Sequence, residues 1–154
     1  MAMDLAYIQS QLDLCKNTCI EIGGPTPDGY DFIQKLGLHL PAHILVSNIS
    51  NPIVLNPHGD QPEEHAVDLV LDITNMPYAL HEIDMLLTSS LPKHLRPILF
   101  KTAAKVLRPG GILVIENEVA ADRATAVQAG LTPLIDIDTA NPFHGQIYQT
   151  CYTS

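Results

Sequence analysis

Apolar positions along the chain fall into two patterns: short runs, and segments in which they recur every three or four residues. The runs predict strands at 18–22, 42–47, 67–71, 83–87, 112–115, 134–138 and 146–152. Residues 67–71 and 83–87 are apolar apart from Asp68 and Asp84, the signature of strands buried on both faces of a parallel sheet. Helical spacing predicts helices at 4–16, 30–36, 95–107 and 118–129. In the first, Leu5, Ile8, Leu12 and Cys15 share one side. In the second, Phe32, Ile33 and Leu36 are available for burial, and Gly37 suits the residue just past the end. The third carries Ile98, Leu99, Ala103, Val106 and Leu107, with Pro97 tolerable in its first turn, and the fourth is alanine-rich and closed by Gly130. Between 48 and 65, Pro52, Pro57, Gly59 and Pro62 interrupt every window in which a helix could propagate, so that stretch is expected to be extended or loop. No segment repeats another.

Strands alternating with helices over short connections imply an α/β fold, a parallel sheet covered on both sides. In such sheets a ligand crevice opens at the carboxyl ends of the central strands. Three polar features fall there: Glu21 with the glycine-rich turn behind it, Ser47-Asn48 after the second strand, and Asp72 after the third.

Composition narrows the classes. A chain of 154 residues, 46% hydrophobic and 16% charged, is expected to be one globular domain with a sizeable core. No apolar run is long enough to cross a bilayer, and the first fourteen residues carry Asp4 and Asp13 without a basic flank, so a cytoplasmic protein with no membrane partner is expected. Cys15, Cys19 and Cys151 are odd in number and lack metal-type spacing, which points to buried or idle thiols. A net charge of -9, with only eight lysines and arginines, argues against nucleic acid as a partner. Lys101, Lys105 and Arg108 are expected on a solvated helix face.

Several familiar constellations are absent. His39 and His43 are four apart, but Pro41 between them prevents a shared helical face. His58-Gly59-Asp60 and Glu63-Glu64-His65 are rich in metal-ligand types, yet a charged surface loop explains the same residues, and no metal is expected. The chain has no Gly-x-Ser-x-Gly elbow and no Walker-type Gly-x-x-x-x-Gly-Lys, which disfavours both a serine hydrolase and a nucleotide hydrolase.

Taken in order, the landmarks resemble those of the class I S-adenosylmethionine-dependent methyltransferases over residues 18–152. Ile20-Glu21-Ile22-Gly23-Gly24-Pro25 looks like the family's first motif, an acid and glycine turn under the methionine part of the cofactor. Val46-Ser47-Asn48-Ile49-Ser50 sits where the family has an acid holding the ribose hydroxyls. Leu71-Asp72-Ile73-Thr74-Asn75-Met76-Pro77-Tyr78 looks like the segment whose aspartate meets the adenine amino group, and Ile83-Asp84-Met85-Leu86-Leu87 resembles the fourth strand. The most specific match is Val106-Leu107-Arg108-Pro109-Gly110-Gly111-Ile112-Leu113-Val114-Ile115, close to the family's basic-Pro-Gly-Gly turn into its fifth strand. The resemblance implies a Rossmann-like, three-layered, seven-stranded sheet, mostly parallel with an antiparallel last strand. It also implies S-adenosylmethionine as cofactor, held by Glu21, Gly23, Gly24, Pro25, Asn48, Ile49, Asp72, Ile73 and Ser89.

The chain departs from the pattern in three places. Pro25 and Pro27 replace glycines of the usual turn, unless Thr26-Pro27-Asp28 is an insertion and Gly29-Tyr30 completes a Gly-Pro-Gly-aromatic pattern. Asn48 stands where a carboxylate is usual, and it also fits the start of a turn leading to Asn51-Pro52. Asp72 fits a cap for the following segment as well as a cofactor contact. The third departure is size: with only a short leading helix and no clear helix after the second strand, little chain remains for a lid. Candidate bases near the crevice are His94 and Glu116, although His94 equally suits a surface helix start, and no catalytic residue is assigned. Two function classes therefore stand: a methyltransferase acting on a small-molecule or protein acceptor, and a noncatalytic module that keeps the fold for assembly or ligand sensing. A nicotinamide-binding fragment is the weaker third. Exposed sheet edges and a lid-poor cleft make a homo-oligomer an expectation too.

Overall fold

The middle strand of the sheet has no exposed position. In the computed structural model Ile83–Thr88 is buried at all six positions, as a strand covered on both faces must be. The structure describes residues 4–25, 30–51, 53–55, 59, 61–64, 66–89, 91–136 and 144–151.

The strands are β1 (Cys19–Glu21), β2 (Leu45–Asn48), β3 (Ile53–Leu55), β4 (Pro62–Glu64), β5 (Leu69–Val70), β6 (Ile83–Thr88), β7 (Leu107–Glu116), β8 (Leu131–Pro133) and β9 (Gly145–Thr150). The helices are α1 (Leu5–Asp13), α2 (Asp31–Lys35), α3 (Arg96–Val106) and α4 (Ala120–Gln128). Seven strands form one sheet in the order β5-β2-β1-β6-β7-β9-β8, and β3 and β4 pair as a separate hairpin. The pairs β5/β2, β2/β1, β1/β6 and β6/β7 are parallel, while β9 runs antiparallel to both its neighbours. The fold class expected from the sequence is the one observed.

Two apolar clusters make the three layers. On one face Ile8, Leu12 and Cys15 of the first helical segment and Phe32 and Ile33 of α2 pack on Met85, Leu87, Ile112, Val114 and Ile147. On the other, Leu99, Phe100, Ala103 and Val106 of α3 and Ala126 of α4 pack on Ile20, Leu86, Leu113 and Tyr148. The Phe100 and Tyr148 rings meet edge to face with centroids 6.0 Å apart. Leu5, expected on the buried side of α1, is exposed, because the helix starts only after Asp4, whose carboxylate accepts from the Tyr7 N–H at 3.0 Å.

Three further expectations need correcting. The basic-Pro-Gly-Gly turn lies inside β7 and not ahead of it. Pairing with β6 steps from Ile83↔Leu107 to Met85↔Ile112, so β7 bulges outward between those pairs. Arg108 consequently leaves the expected solvated helix face, and its Nε donates to Asp84 at 3.2 Å. The sixth strand of the sheet, expected at 134–138, is β8 at Leu131–Pro133. Beyond it the side-chain amide of the fully buried Gln146 replaces the ladder, accepting from the Ile135 N–H at 2.9 Å and donating to the Ile135 carbonyl at 3.0 Å. Residues 137, 138 and 152 of the expected strands lie outside the described residues. The stretch expected to be extended or loop holds the β3/β4 hairpin. Among the described residues no helix is long and apolar enough to cross a membrane.

Candidate functional site

Strand order reverses at β1, with β2 to one side and β6 to the other, and the chain leaves all three strands at the same end. A cleft of about 380 Å³ opens there, lined by Ile22, Gly23, Asn48, Ile49, Leu71, Asp72, Ile73, Leu91, Pro92 and Leu95. Its volume falls in the range of small-molecule sites, roughly 300–1,000 Å³. Five of the nine residues implied by the resemblance line it: Gly23, Asn48, Ile49, Asp72 and Ile73.

The floor is a strapped turn. Ile22 N–H donates to the Leu87 carbonyl at 2.7 Å and Thr88 Oγ1 to the Ile22 carbonyl at 2.9 Å, which fastens the turn to β6. On the other side Ser47 Oγ donates to the Glu21 carbonyl at 2.6 Å and Gly24 N–H to the Ser47 carbonyl at 2.8 Å. Gly23 has φ +74°. Gly24 lies directly on the Glu21 carboxylate, and a Cβ there would overlap Oε1 and come within 2.8 Å of Val46 Cγ1, so no larger residue fits.

Glu21 does not line the cleft. It is 5% exposed, covered by Gly24, and its Oε2 accepts from the buried Tyr30 hydroxyl at 2.6 Å. The carboxylate ties the turn to the start of α2. Pro25 is described but also lies outside the lining, and Thr26, Pro27, Asp28 and Gly29, on which the insertion reading depends, lie outside the described residues.

Asn48 and Asp72 both make hydrogen bonds within the fold and both line the cleft. Asn48 Nδ2 donates to the Gly24 carbonyl at 2.7 Å and its Oδ1 accepts from Ile49 N–H at 2.8 Å, so the amide braces the turn while standing in the cleft wall. Asp72 Oδ1 accepts from Thr74 N–H at 2.9 Å and Thr74 Oγ1 at 2.7 Å, capping the 3-10 turn Ile73–Asn75. These two hydrogen bonds, first the hydroxyl and then the amide, hold the Asp72 carboxyl below its ordinary value, so it is ionised at neutral pH. Among the described residues the cap uses Oδ1, and Oδ2 takes no part in it.

Ser89 is buried behind the far wall, where its carbonyl accepts from Asn117 Nδ2 at 2.9 Å. His94 is exposed and Glu116 half-buried, and neither lines the cleft. Five lining residues were not among those implied: Ile22 and Leu71, which sit inside the quoted motifs, and Leu91, Pro92 and Leu95, which lie outside them. The only signal of the last three is that apolar side chains directly follow a strand end, which the core would equally require. No group of three His, Cys, Asp or Glu among the described residues could hold a metal ion. His58, Asp60, His65 and the Glu63 side chain lie outside the description.

The architecture has counterparts among solved structures. A chain of the complex between the Haloferax volcanii Trm112 methyltransferase activator and a methyltransferase superposes with a TM-score of 0.56 at 14% identity, covering 94% of this chain and 88% of that one. The fold is that of the class I methyltransferases. A sarcosine dimethylglycine methyltransferase from Galdieria sulphuraria shares this methyltransferase fold at TM-score 0.50 and 10% identity, covering 96% of this chain and 84% of that one. Burkholderia thailandensis 1,6-didemethyltoxoflavin-N1-methyltransferase, solved with that compound and S-adenosylhomocysteine, does so at TM-score 0.50 and 11% identity, covering 96% and 80%. No family model matches the chain, and no curated protein matches it.

Proposed function

We propose that the cleft binds S-adenosylmethionine and that the chain transfers its methyl group to a small-molecule or protein acceptor. The supporting observation is the composition of the cleft: two hydrogen-bonding side chains, Asn48 and Asp72, stand on one side of a pocket otherwise walled by Ile22, Ile49, Leu71, Ile73, Leu91 and Leu95. A nucleoside has the same division, a flat apolar base with an amino edge and a hydroxyl-bearing sugar. Asp72 would accept from the amino group, Asn48 would face the ribose, and the Gly23 turn would lie under the methionine part.

S-adenosylmethionine supplies a methyl group already activated on a sulfonium. The chain's contribution is then to bind and orient donor and acceptor in line and to exclude water, for which the apolar walls are suited. Neither His94 nor Glu116 reaches the lining, so the proposal includes no general base.

A second reading, a noncatalytic module, draws on Asn48. Its amide already bonds Gly24 and Ile49, and it offers the ribose hydroxyls less than a carboxylate would. Titration calorimetry with S-adenosylmethionine and S-adenosylhomocysteine tests the cofactor proposal, which fails if folded protein takes up neither at millimolar concentration. Asp72→Ala is expected to weaken binding by about an order of magnitude, and an unchanged affinity would show the adenine to be wrongly assigned.

A further inference from the structure

The far wall of the cleft rests on a buried guanidinium. Leu91, Pro92 and Leu95 belong to the segment between β6 and α3, and the first residue of α3, Arg96, is 8% exposed. Its Nε donates to the Leu91 carbonyl at 3.3 Å, and its Nη1 to the Asn117 carbonyl at 3.1 Å. Nη1 also forms a close ion pair with Asp122 Oδ2, which in turn accepts from the Val119 N–H at 2.9 Å. Asn117 completes the ring through Nδ2 to the Ser89 carbonyl. It adopts φ +59°, a left-handed conformation that Asn tolerates better than most residues.

These bonds join three parts of the chain: the segment after β6, the turn after β7, and the first turn of α4. Only a fork-shaped cation can reach them together, since Nε and Nη1 address different carbonyls while the charge stays paired in a buried place. Removing the guanidinium would leave the Asp122 carboxylate, on a side chain 5% exposed, without its counter-charge.

We propose that Arg96 is a positioning residue for the cleft, holding the wall formed by Leu91, Pro92 and Leu95 at the spacing that grips a ligand, with Asp122 fixing the guanidinium. The proposal rests on the reading that the cleft binds S-adenosylmethionine or its product, and its test has one arm independent of that reading. Arg96→Lys keeps the charge beside Asp122 and loses the fork. Hydrogen exchange on the ligand-free protein is expected to show faster exchange at residues 91 and 93–95 in this variant, with β6 and β7 still protected as in the parent. Calorimetry is expected to show S-adenosylhomocysteine binding weakened by about tenfold, the effect of a lost charge-assisted hydrogen bond.

Unchanged exchange at 91 and 93–95 overturns the proposal, as does loss of protection spread over β6 and β7, which would make Arg96 a general structural residue. Unchanged affinity with a loosened wall overturns it too. If the parent protein binds no S-adenosylhomocysteine, the cofactor reading fails on its own and the exchange arm still decides whether Arg96 holds the wall. If Arg96→Lys does not fold, Asp122→Asn replaces it. That variant keeps the Leu91 and Asn117 bonds and is expected to loosen the same segment to a smaller degree, and unaltered exchange in it overturns the proposal.

Discussion

Cys15 and Cys19 are buried, with their sulfurs among backbone carbonyls and, for Cys19, 3.5 Å from His43 Nε2. Cys15 Sγ is near the Gln11 and Asp84 carbonyls at 3.6 Å, and Cys19 Sγ near the Cys15 carbonyl at 3.5 Å. Burial pushes the Cys15 thiol from 9.0 up to about 11 and the Cys19 thiol up to about 12, with Arg108 partly opposing the shift. Since the thiolate is the nucleophile, iodoacetamide at pH 8 is expected to alkylate the exposed Cys151 and spare the other two in the folded protein, as read by peptide mass spectrometry. The pH dependence follows with its sign. Both folded values lie above 9.0, so above that pH the unfolded chain releases these protons first and the folded state binds more. Stability from this source is complete below pH 9 and falls as pH rises from 9 toward about 11 for Cys15 and about 12 for Cys19. Urea midpoints between pH 8 and 10.5 are expected to drop less steeply in a Cys15→Ala, Cys19→Ala double variant than in the parent. Equal slopes would assign the alkaline loss to other groups. Glu21 and Asn48 belong to the same scale: the sequence places both at the crevice, but their bonds to Tyr30 and Gly24 depend on packing that spacing does not encode.

At the scale of elements, the close approach of Phe32 to Gly145 sets where α2 sits on the sheet. A Cβ on Gly145 would overlap the Phe32 ring, which is itself 1% exposed and has nowhere to move. Gly145→Ala is therefore expected to destabilise the protein by about 1–3 kcal/mol, the usual cost of overpacking. Adding Phe32→Leu should recover part of that loss in a double-mutant cycle of urea unfolding, and strictly additive effects would refute the contact. Neither residue announces the contact in sequence, because they are far apart along the chain. What was legible there is the set of strands whose burial is two-sided: residues 83–87 and 112–115 are apolar runs because no position in them meets water. β8 was misplaced because Gln146, a polar residue, continues the hydrogen bonding that a strand would otherwise supply. The bulge within β7 was read as a separate turn because Pro109-Gly110-Gly111 is locally a turn signal, and only the partner strand shows that pairing resumes on both sides of it. In the cleft, Gly23, Asn48 and Asp72 were legible because polar and glycine residues interrupt apolar runs at strand ends, whereas Leu91 and Leu95 are indistinguishable in sequence from core.

Across the whole molecule the two ends of the sheet have different tasks. The end where β1, β2, β5 and β6 terminate carries the cleft, and the opposite end is closed by polar bonds around Asp84. Asp84 is 4% exposed, accepts from Asn17 N–H at 2.9 Å and from Arg108 Nε at 3.2 Å, and so draws together the segment before β1, the start of β6 and the bulge in β7. A carboxylate this buried depends on its cation. Truncating Arg108 leaves it facing apolar neighbours with one backbone donor. Arg108→Ala is expected to lower unfolding free energy by about 3 kcal/mol, toward the low end for a broken buried pair because the Arg108 side chain is 24% exposed. Where the parent binds S-adenosylhomocysteine as proposed, the variant's affinity, measured well below the lowered melting temperature, is expected to match it, since among the described residues no bond of this cluster reaches the lining of the cleft. Arg96→Lys should give the complementary result, weaker binding with β6 and β7 still protected, so the two arginines test whether stability and ligand grip are separately held. A fall in affinity with Arg108→Ala in fully folded protein would show instead that the strand bases set the geometry of the cleft through β6.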